Sequence, residues 1–252
     1  MESYALWLTS WYPTSISPYD GDFIQRHAKA VSIHQKVVVV YVKKDDEGTI
    51  TKKNKKTTSV KNNLTEVLVY YHPKKTGIKF IDRIISFFTY QILYYRAINE
   101  VFKEKGIPFL IHAHIIKHIA LICLIIKRKA KTALVVSEQW TGFLQDNIEA
   151  YKKENHVYKW LWKNVFKKAD RVTVVSNVLG QSIQSLFGIK KFVVVQNVVD
   201  TNIFSPSITN KKVDNVFVHI SNGFQQKNVS EILQAFDLIK KQGLDFSLHL
   251  FV

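Results

Sequence analysis

Two histidines near the middle of the chain have a spacing that could do chemistry. His112 and His114 stand two apart at the end of an apolar, β-branched run, so a strand would direct both imidazoles to one face. In an open parallel α/β sheet, ligands bind at that end of the strands. A functional pair and a pair of hydrogen-bonded structural histidines both fit the pattern, and no third ligand at zinc spacing accompanies them.

The segment Asp20-Gly21-Asp22 has the D-x-D spacing with which two carboxylates can grip a divalent metal. It follows the first predicted strand and opens a helical pattern. An aspartate at a helix start is favourable without any ligand, whereas a glycine and free N–H groups also suit an anion. We therefore expect Gly21 and Asp22 to form an acceptor- or phosphate-facing loop that holds no metal, with a plain helix-start loop as the alternative.

A third candidate is the loop from Ser221 to Lys227, which joins a predicted strand to a predicted helix. A lysine at a helix start opposes the helix dipole and is unfavourable unless an anion neutralises it. Gly223 would let a ligand approach the backbone closely. The pattern predicts a phosphate held by Lys227 together with helix N–H groups.

The elements that must position these residues alternate along the chain. Short β-branched runs are separated by longer helical patterns, which predicts an α/β fold with a parallel sheet. Residues 115–128 are predicted as a helix, and the lysine-rich segment 43–61 as a loop or hairpin tip. Ser176 is predicted to cap a helix that Gly188 ends.

Composition bounds the class of protein. The chain has 252 residues, of which 46% are hydrophobic, enough for a substantial core. Its single cysteine, Cys123, excludes an intramolecular disulfide framework and fits a reducing compartment. The longest uncharged apolar stretches, 84–95 and 119–126, fall short of the roughly 20 residues that a membrane-spanning helix needs. These features predict a cytoplasmic protein.

The net charge of +16 favours anionic partners. Arginine, the preferred reader of base edges, occurs only at positions 26, 83, 96, 128 and 171, so nucleic acid is an unlikely partner. Tyr158, Trp162 and Phe166 recur every four residues and predict a core-facing helix stripe. Trp160 projects among lysines on the same helix, which suggests peripheral contact with the inner face of an anionic membrane, although a solvated face is the simpler interpretation.

No G-x-G-x-x-G and no P-loop pattern is present, which argues against dinucleotide oxidoreductases and P-loop NTPases. A segment rich in Ser, Thr and Asn follows residue 197 and predicts a linker, with one domain over 1–207 and the beginning of a second over 208–252. The second domain ends after one strand–helix–strand unit, so we expect the sequence to be the N-terminal part of a longer protein.

Seven short motifs occur in a recognisable order along the chain. They are WYP (11–13), GDFIQRHAKA (21–30), IHAH (111–114), SEQWTGF (137–143), ADRVTVVS (169–176), QNVVDTNIFSP (196–206) and HISNGFQQKNVSEILQAF (219–236). Together they resemble family 4 of the GT-B glycosyltransferases, particularly bacterial enzymes of exopolysaccharide and surface-polysaccharide synthesis.

The resemblance implies two Rossmann-like domains, the second truncated here, with the active site in the cleft between them. It implies metal-independent transfer of a sugar, with retention, from a nucleotide-diphosphate donor to a glycan or lipid-linked acceptor. No cofactor is implied, because the nucleotide sugar is a substrate. The implied catalytic residues are His114, Glu138 and Gln139, and the implied donor-binding residues are Ser221, Asn222, Gly223 and Lys227.

Three departures from the family pattern leave alternatives open. Asn222 replaces the usual arginine of the donor loop, and Gln139 replaces the usual histidine of the central loop. The acidic region that grips the donor sugar would lie beyond residue 252. A non-catalytic GT-B-like module at anionic membranes, or a GT-B-fold nucleotide-sugar epimerase, would carry the same motifs.

Overall fold

The computed structural model describes residues 3–51, 53–206, 215–221, 223 and 227–252. Two compact units divide the chain, Met1–Val199 and Asp200–Val252, and each is described by itself. The domain boundary predicted at residues 207 and 208 lies outside the described residues.

The first unit contains one sheet. Its eight strands are β1 (Ala5–Thr9), β2 (Val37–Lys44), β3 (Asn54–Lys61), β4 (Leu64–Tyr71), β5 (Leu110–His114), β6 (Ala133–Glu138), β7 (Arg171–Val174) and β8 (Val193–Val194). They lie in the order β3-β4-β2-β1-β5-β6-β7-β8, and every neighbouring pair is parallel except β3 with β4. The predicted α/β fold with a parallel sheet is therefore confirmed.

Helices cover both faces of this sheet. They are α1 (Asp22–Ser32), α2 (Lys79–Lys105), α3 (Ala120–Ala130), α4 (Ile148–Lys152), α5 (His156–Lys168) and α6 (Asn177–Phe187). All five residues of β1 are buried because successive side chains enter opposite layers. Leu6 and Leu8 join the larger cluster, which contains side chains of α2, α3, α5 and α6, whereas Trp7 packs in the smaller cluster with Ile24 and Ala28 of α1.

The order of the strands creates the position of the candidate site. From β1 the chain first adds β2 on one side and later adds β5 on the other, so the direction of winding reverses at β1. In an open α/β sheet, a crevice opens at such a reversal, outside the carboxyl ends of the strands. Thr9 and His114 end the two central strands there.

Two predicted elements were wrong in detail. The segment 43–61 contains strand β3, which pairs antiparallel with β4 and has no buried residue, so hydrophobic alternation could not reveal it. The helix predicted over 115–128 begins only at Ala120: Ile115 adopts a left-handed backbone conformation (φ 53°), and residues 116–119 form a turn. The predicted helix ends are confirmed: the Ser176 hydroxyl accepts the Leu179 N–H at 3.3 Å, and Gly188 closes α6.

The second unit is a strand–helix–strand motif. Parallel strands β9 (Val216–Ile220) and β10 (Ser247–Phe251) flank helix α7 (Val229–Lys241). Phe217 of β9, Phe236 of α7 and Phe246, just before β10, pack together, with ring centroids 4.9 Å apart between Phe236 and each of the other two. Helix α7 begins two residues later than the predicted start at Lys227. Among the described residues of both units, no helix combines the length and the apolarity that crossing a bilayer requires.

Candidate functional site

The predicted histidine pair forms part of an aromatic stack on the two central strands. His112 and His114 project from the same face of β5, and their ring centroids are 4.0 Å apart. Trp7 of β1 lies beside both, with centroid distances of 4.8 Å to His112 and 4.2 Å to His114. The expectation from strand periodicity, two imidazoles on one face, is confirmed.

Burial keeps both imidazoles neutral. It lowers the pKa of His112 from its usual value to about 3, and it lowers the pKa of His114 well below the usual range. The Nε2 atom of His112 lies 2.6 Å from the Ser137 hydroxyl, whereas Nε2 of His114 has no hydrogen-bond partner within the described residues. His114 is therefore uncharged and buried, and no described residue satisfies the hydrogen-bonding capacity of its Nε2 atom. Its catalytic role stays a prediction.

Glu138 ends β6 and is fully buried. Its carboxylate accepts the backbone N–H groups of Gln139 at 3.0 Å, Trp140 at 2.9 Å and Ile116 at 3.1 Å. Burial raises the pKa of Glu138 to about 7, and the three N–H donors oppose that shift. The carboxylate thus joins the loop after β5 to the loop after β6, which is a positioning role.

The partly exposed Gln139 side chain follows Glu138 at the same edge of the sheet. Direct contact of either residue with a sugar stays a prediction.

The loop before α1 is organised by backbone packing. Gly21 has a φ of 62°, and a Cβ atom there would lie 2.7 Å from the backbone carbon and oxygen of Trp11. The neighbouring carboxylates face separate cations: Asp20 pairs with Lys43 at 2.8 Å, and Asp22 with Arg26 at 3.1 Å. In the part of the chain that the structure describes, no three His, Cys, Asp or Glu side chains group as metal ligands would. Contact of Gly21 and Asp22 with a phosphate stays a prediction.

We expect Gly21→Ala to lower the free energy of unfolding by about 2–4 kcal/mol, because it adds both left-handed strain and a backbone clash. Gly188→Ala is the matched control, since its φ is 68° but no atom lies within 4 Å of an added Cβ. The control should lose only about 1–2 kcal/mol. Urea denaturation measures both variants, and equal losses would show that the contact with Trp11 relaxes.

The predicted donor loop lies between β9 and α7. The Ser221 hydroxyl is 2.9 Å from Nε2 of His219 and accepts the N–H of Gly223 at 3.2 Å. A Cβ at Gly223 would lie 2.5 Å from Cγ1 of Val252. Lys227 precedes α7, is exposed and makes no ion pair with any described residue. Asn222, the fourth predicted donor residue, lies outside the described residues.

A large cavity in the first unit was not predicted. It has a volume of about 1300 Å³ and lies beside the first turns of α2 and the loops after β1, β2, β4 and β5. None of the lysines that line it, nor Arg83, was predicted from the sequence as a site residue. Alternating basic and large apolar residues at the start of α2 were the available signal, but only the tertiary structure shows which of them face a cavity.

Comparisons with known proteins agree with this geometry. The family model described as Glycosyltransferase Family 4 matches residues 64–203, more than half of the chain. Sucrose-phosphate synthase from Thermosynechococcus elongatus superposes with a TM-score of 0.65 at 10% identity, over 98% of this chain and 62% of its own. The trehalose-6-phosphate protein from E. coli bound with UDP-2-fluoro glucose superposes with a TM-score of 0.55 at 9% identity, over 98% of this chain and 73% of its own.

These structural similarities confirm the predicted GT-B type of Rossmann-like fold. At such low identity they show the fold alone, and the chain spans less than two thirds of the length of the sucrose-phosphate synthase. No curated protein matches the sequence significantly.

Proposed function

Because the chain belongs to glycosyltransferase family 4, we propose that it transfers a sugar from a nucleotide-diphosphate donor to a glycan or lipid-linked acceptor. In the proposed reaction the anomeric configuration is retained and no metal takes part. The observation that carries the proposal is the loop between β9 and α7, where a lysine that makes no ion pair with any described residue precedes a helix start.

The donor diphosphate is assigned to this loop on electrostatic grounds. When the bond to the sugar breaks, negative charge develops on the leaving diphosphate, and fixed positive groups stabilise it. Lys227 and the N–H groups at the start of α7 supply such charge. The Ser221 hydroxyl adds a hydrogen-bonding group beside them.

The acceptor is assigned to the carboxyl edge of the sheet in the first unit. His114 offers an unpartnered Nε2 atom there, and a neutral imidazole can bind a sugar hydroxyl. Glu138 holds the flanking loops through its three backbone hydrogen bonds, and Gln139 lies beside it. These residues are proposed to orient the acceptor and the transferred sugar.

The proposed setting is the cytoplasm, at the inner face of a membrane. Trp160 is 61% exposed on α5, and Lys163 and Lys167 are exposed on the same helix. An exposed tryptophan among lysines suits an anionic interface, where each lysine contributes roughly 1 kcal/mol.

The direct test incubates the protein with a panel of nucleoside-diphosphate sugars and glycan or lipid-linked acceptors, and measures nucleoside-diphosphate release and labelled product. We expect turnover with at least one donor, undiminished by EDTA. Donor binding without turnover would favour the non-catalytic module, and release of an isomerised sugar without an acceptor would favour the epimerase. Absence of both binding and turnover would refute the proposal.

A further inference from the structure

The cavity in the first unit has a strongly apolar wall. Phe80, Ile84 and Phe88 of α2 line it, spaced four residues apart on one face of the helix. Its volume of about 1300 Å³ exceeds the roughly 300–1,000 Å³ of ordinary small-molecule sites. A sugar alone would leave most of this apolar surface uncovered.

The apolar wall continues out of the cavity along α2. Phe88, Ile92 and Tyr95 line a second hollow of about 890 Å³, whose other side contains Ile125 of α3. Phe88 and Gln91 line both spaces, so the two hollows adjoin each other along α2. From Phe80 to Tyr95 the helix rises about 22 Å. We call the face from Phe80 to Tyr95 the α2 track.

Much of the α2 track faces solvent. Phe80 is 71% exposed, Phe88 55% and Ile92 49%. Contiguous exposed apolar surface of this kind marks a binding site more often than an ordinary protein surface. The two hollows are concave, which suits a single flexible chain better than a flat bilayer.

Two cations that make no ion pair with any described residue lie at the cavity end of the α2 track. Lys43, Lys44 and Lys117 also line the cavity, but each pairs with a carboxylate at 2.8–2.9 Å. In contrast, Lys79 and Arg83 are exposed and make no ion pair with any described residue. These free cations on the first turns of α2 would attract a phosphate group.

Buried polar atoms in the cavity wall also lack partners. Gln91 is only 6% exposed; its Nε2 donates to the His118 carbonyl at 3.2 Å, but its Oε1 accepts no hydrogen bond within the described residues. The Tyr90 hydroxyl is likewise buried without a partner there. Because an unpaired buried polar atom is costly, these two atoms indicate a ligand with a polar head.

We infer that the acceptor is an amphiphile that combines a phosphate-bearing polar head with a long apolar chain. The head lies in the cavity near Lys79, Arg83 and Gln91, and the chain follows the α2 track. The inference deepens the proposed function and rests on it, since it names the acceptor class of that reaction.

The test titrates the whole chain, without donor, with farnesyl phosphate, farnesol and glucose 6-phosphate below the micellar concentration of each lipid. Farnesyl phosphate should bind at least about tenfold more tightly than either of the others. The double variant Lys79→Ala/Arg83→Ala should bind farnesyl phosphate about tenfold more weakly than the wild type does, and its affinity for farnesol should be unchanged. The double variant Ile84→Ser/Phe88→Ser should bind both farnesyl phosphate and farnesol more weakly than the wild type does.

Matched controls come from surfaces away from the track. Phe109 is 47% exposed at the amino end of β5, and Lys190 is exposed just after α6, so Phe109→Ser and Lys190→Ala should leave all three affinities unchanged. Circular dichroism checks that every variant folds.

Three results would overturn the inference. They are equal binding of glucose 6-phosphate, equal loss in the controls, and binding of anionic phosphatidylglycerol vesicles without binding of monomeric farnesyl phosphate. If sugar transfer to a water-soluble acceptor proceeds while farnesyl phosphate does not bind, the inference fails and the proposed function stands. If farnesyl phosphate binds but no donor sugar is ever transferred, the proposed function fails instead.

Discussion

Replacing Lys227 with alanine is expected to lower the rate of sugar transfer by on the order of 10²–10³-fold, because one fixed positive group on the leaving diphosphate is lost. The lysine is exposed, precedes α7 and pairs with no described carboxylate. Five residues before Lys227, where the family resemblance implies an arginine, the chain has Asn222, so the second cation of that pair is missing. The charge of Lys227 should therefore contribute more to catalysis than it would beside a second cation.

The loss should appear in catalysis and not in folding. Removing an exposed lysine changes the free energy of unfolding by about 0.5 kcal/mol or less. Lys240→Ala, an exposed lysine in the last turn of α7, is the matched control and should keep normal turnover. Steady-state kinetics and isothermal titration with the nucleoside diphosphate measure the two variants. A Lys227→Ala protein with normal donor affinity and turnover would make Lys227 a merely solvated residue.

Replacing Glu138 with alanine is expected to cost at least about 3 kcal/mol of unfolding free energy. The change removes a carboxylate that accepts three backbone N–H groups, and each buried unsatisfied donor costs roughly 1–3 kcal/mol. Glu138→Gln should fall between the wild type and the alanine variant, because its amide keeps one accepting oxygen. Urea denaturation at neutral pH measures the series.

The matched control for this series is Glu104→Ala; the Glu104 side chain is 71% exposed and, within the described part of the chain, its carboxylate pairs with Lys105. Since surface ion pairs contribute about 0–1 kcal/mol, the control should stay close to wild type. A Glu138→Ala protein as stable as the control would mean that water replaces the carboxylate, and the positioning role would be wrong.

Local pattern determined much of the architecture. The β-branched runs predicted the parallel strands, because a strand buried on both faces needs apolar residues throughout. Period two placed His112 and His114 on one face, and side-chain capping placed the start of α6 at Ser176. In each case the residues that determine the local structure are neighbours in sequence, so a short segment contains the interactions that matter.

Only the tertiary structure decided the features that depend on distant parts of the chain. Strand β3 forms through backbone pairing with β4 and has no buried side chain, so its side chains carry no signal. The catalytic role that the family resemblance implies for Glu138 stays a prediction, whereas its burial and the hydrogen bond it accepts from the Ile116 N–H, across 22 residues, are set by the tertiary structure. The sequence shows that the α2 track is apolar, but not that it is exposed, because burial depends on which helix or sheet covers each face. A sequence therefore specifies which side chains a helix offers, and the approach of other elements decides which of them remain free to bind a ligand.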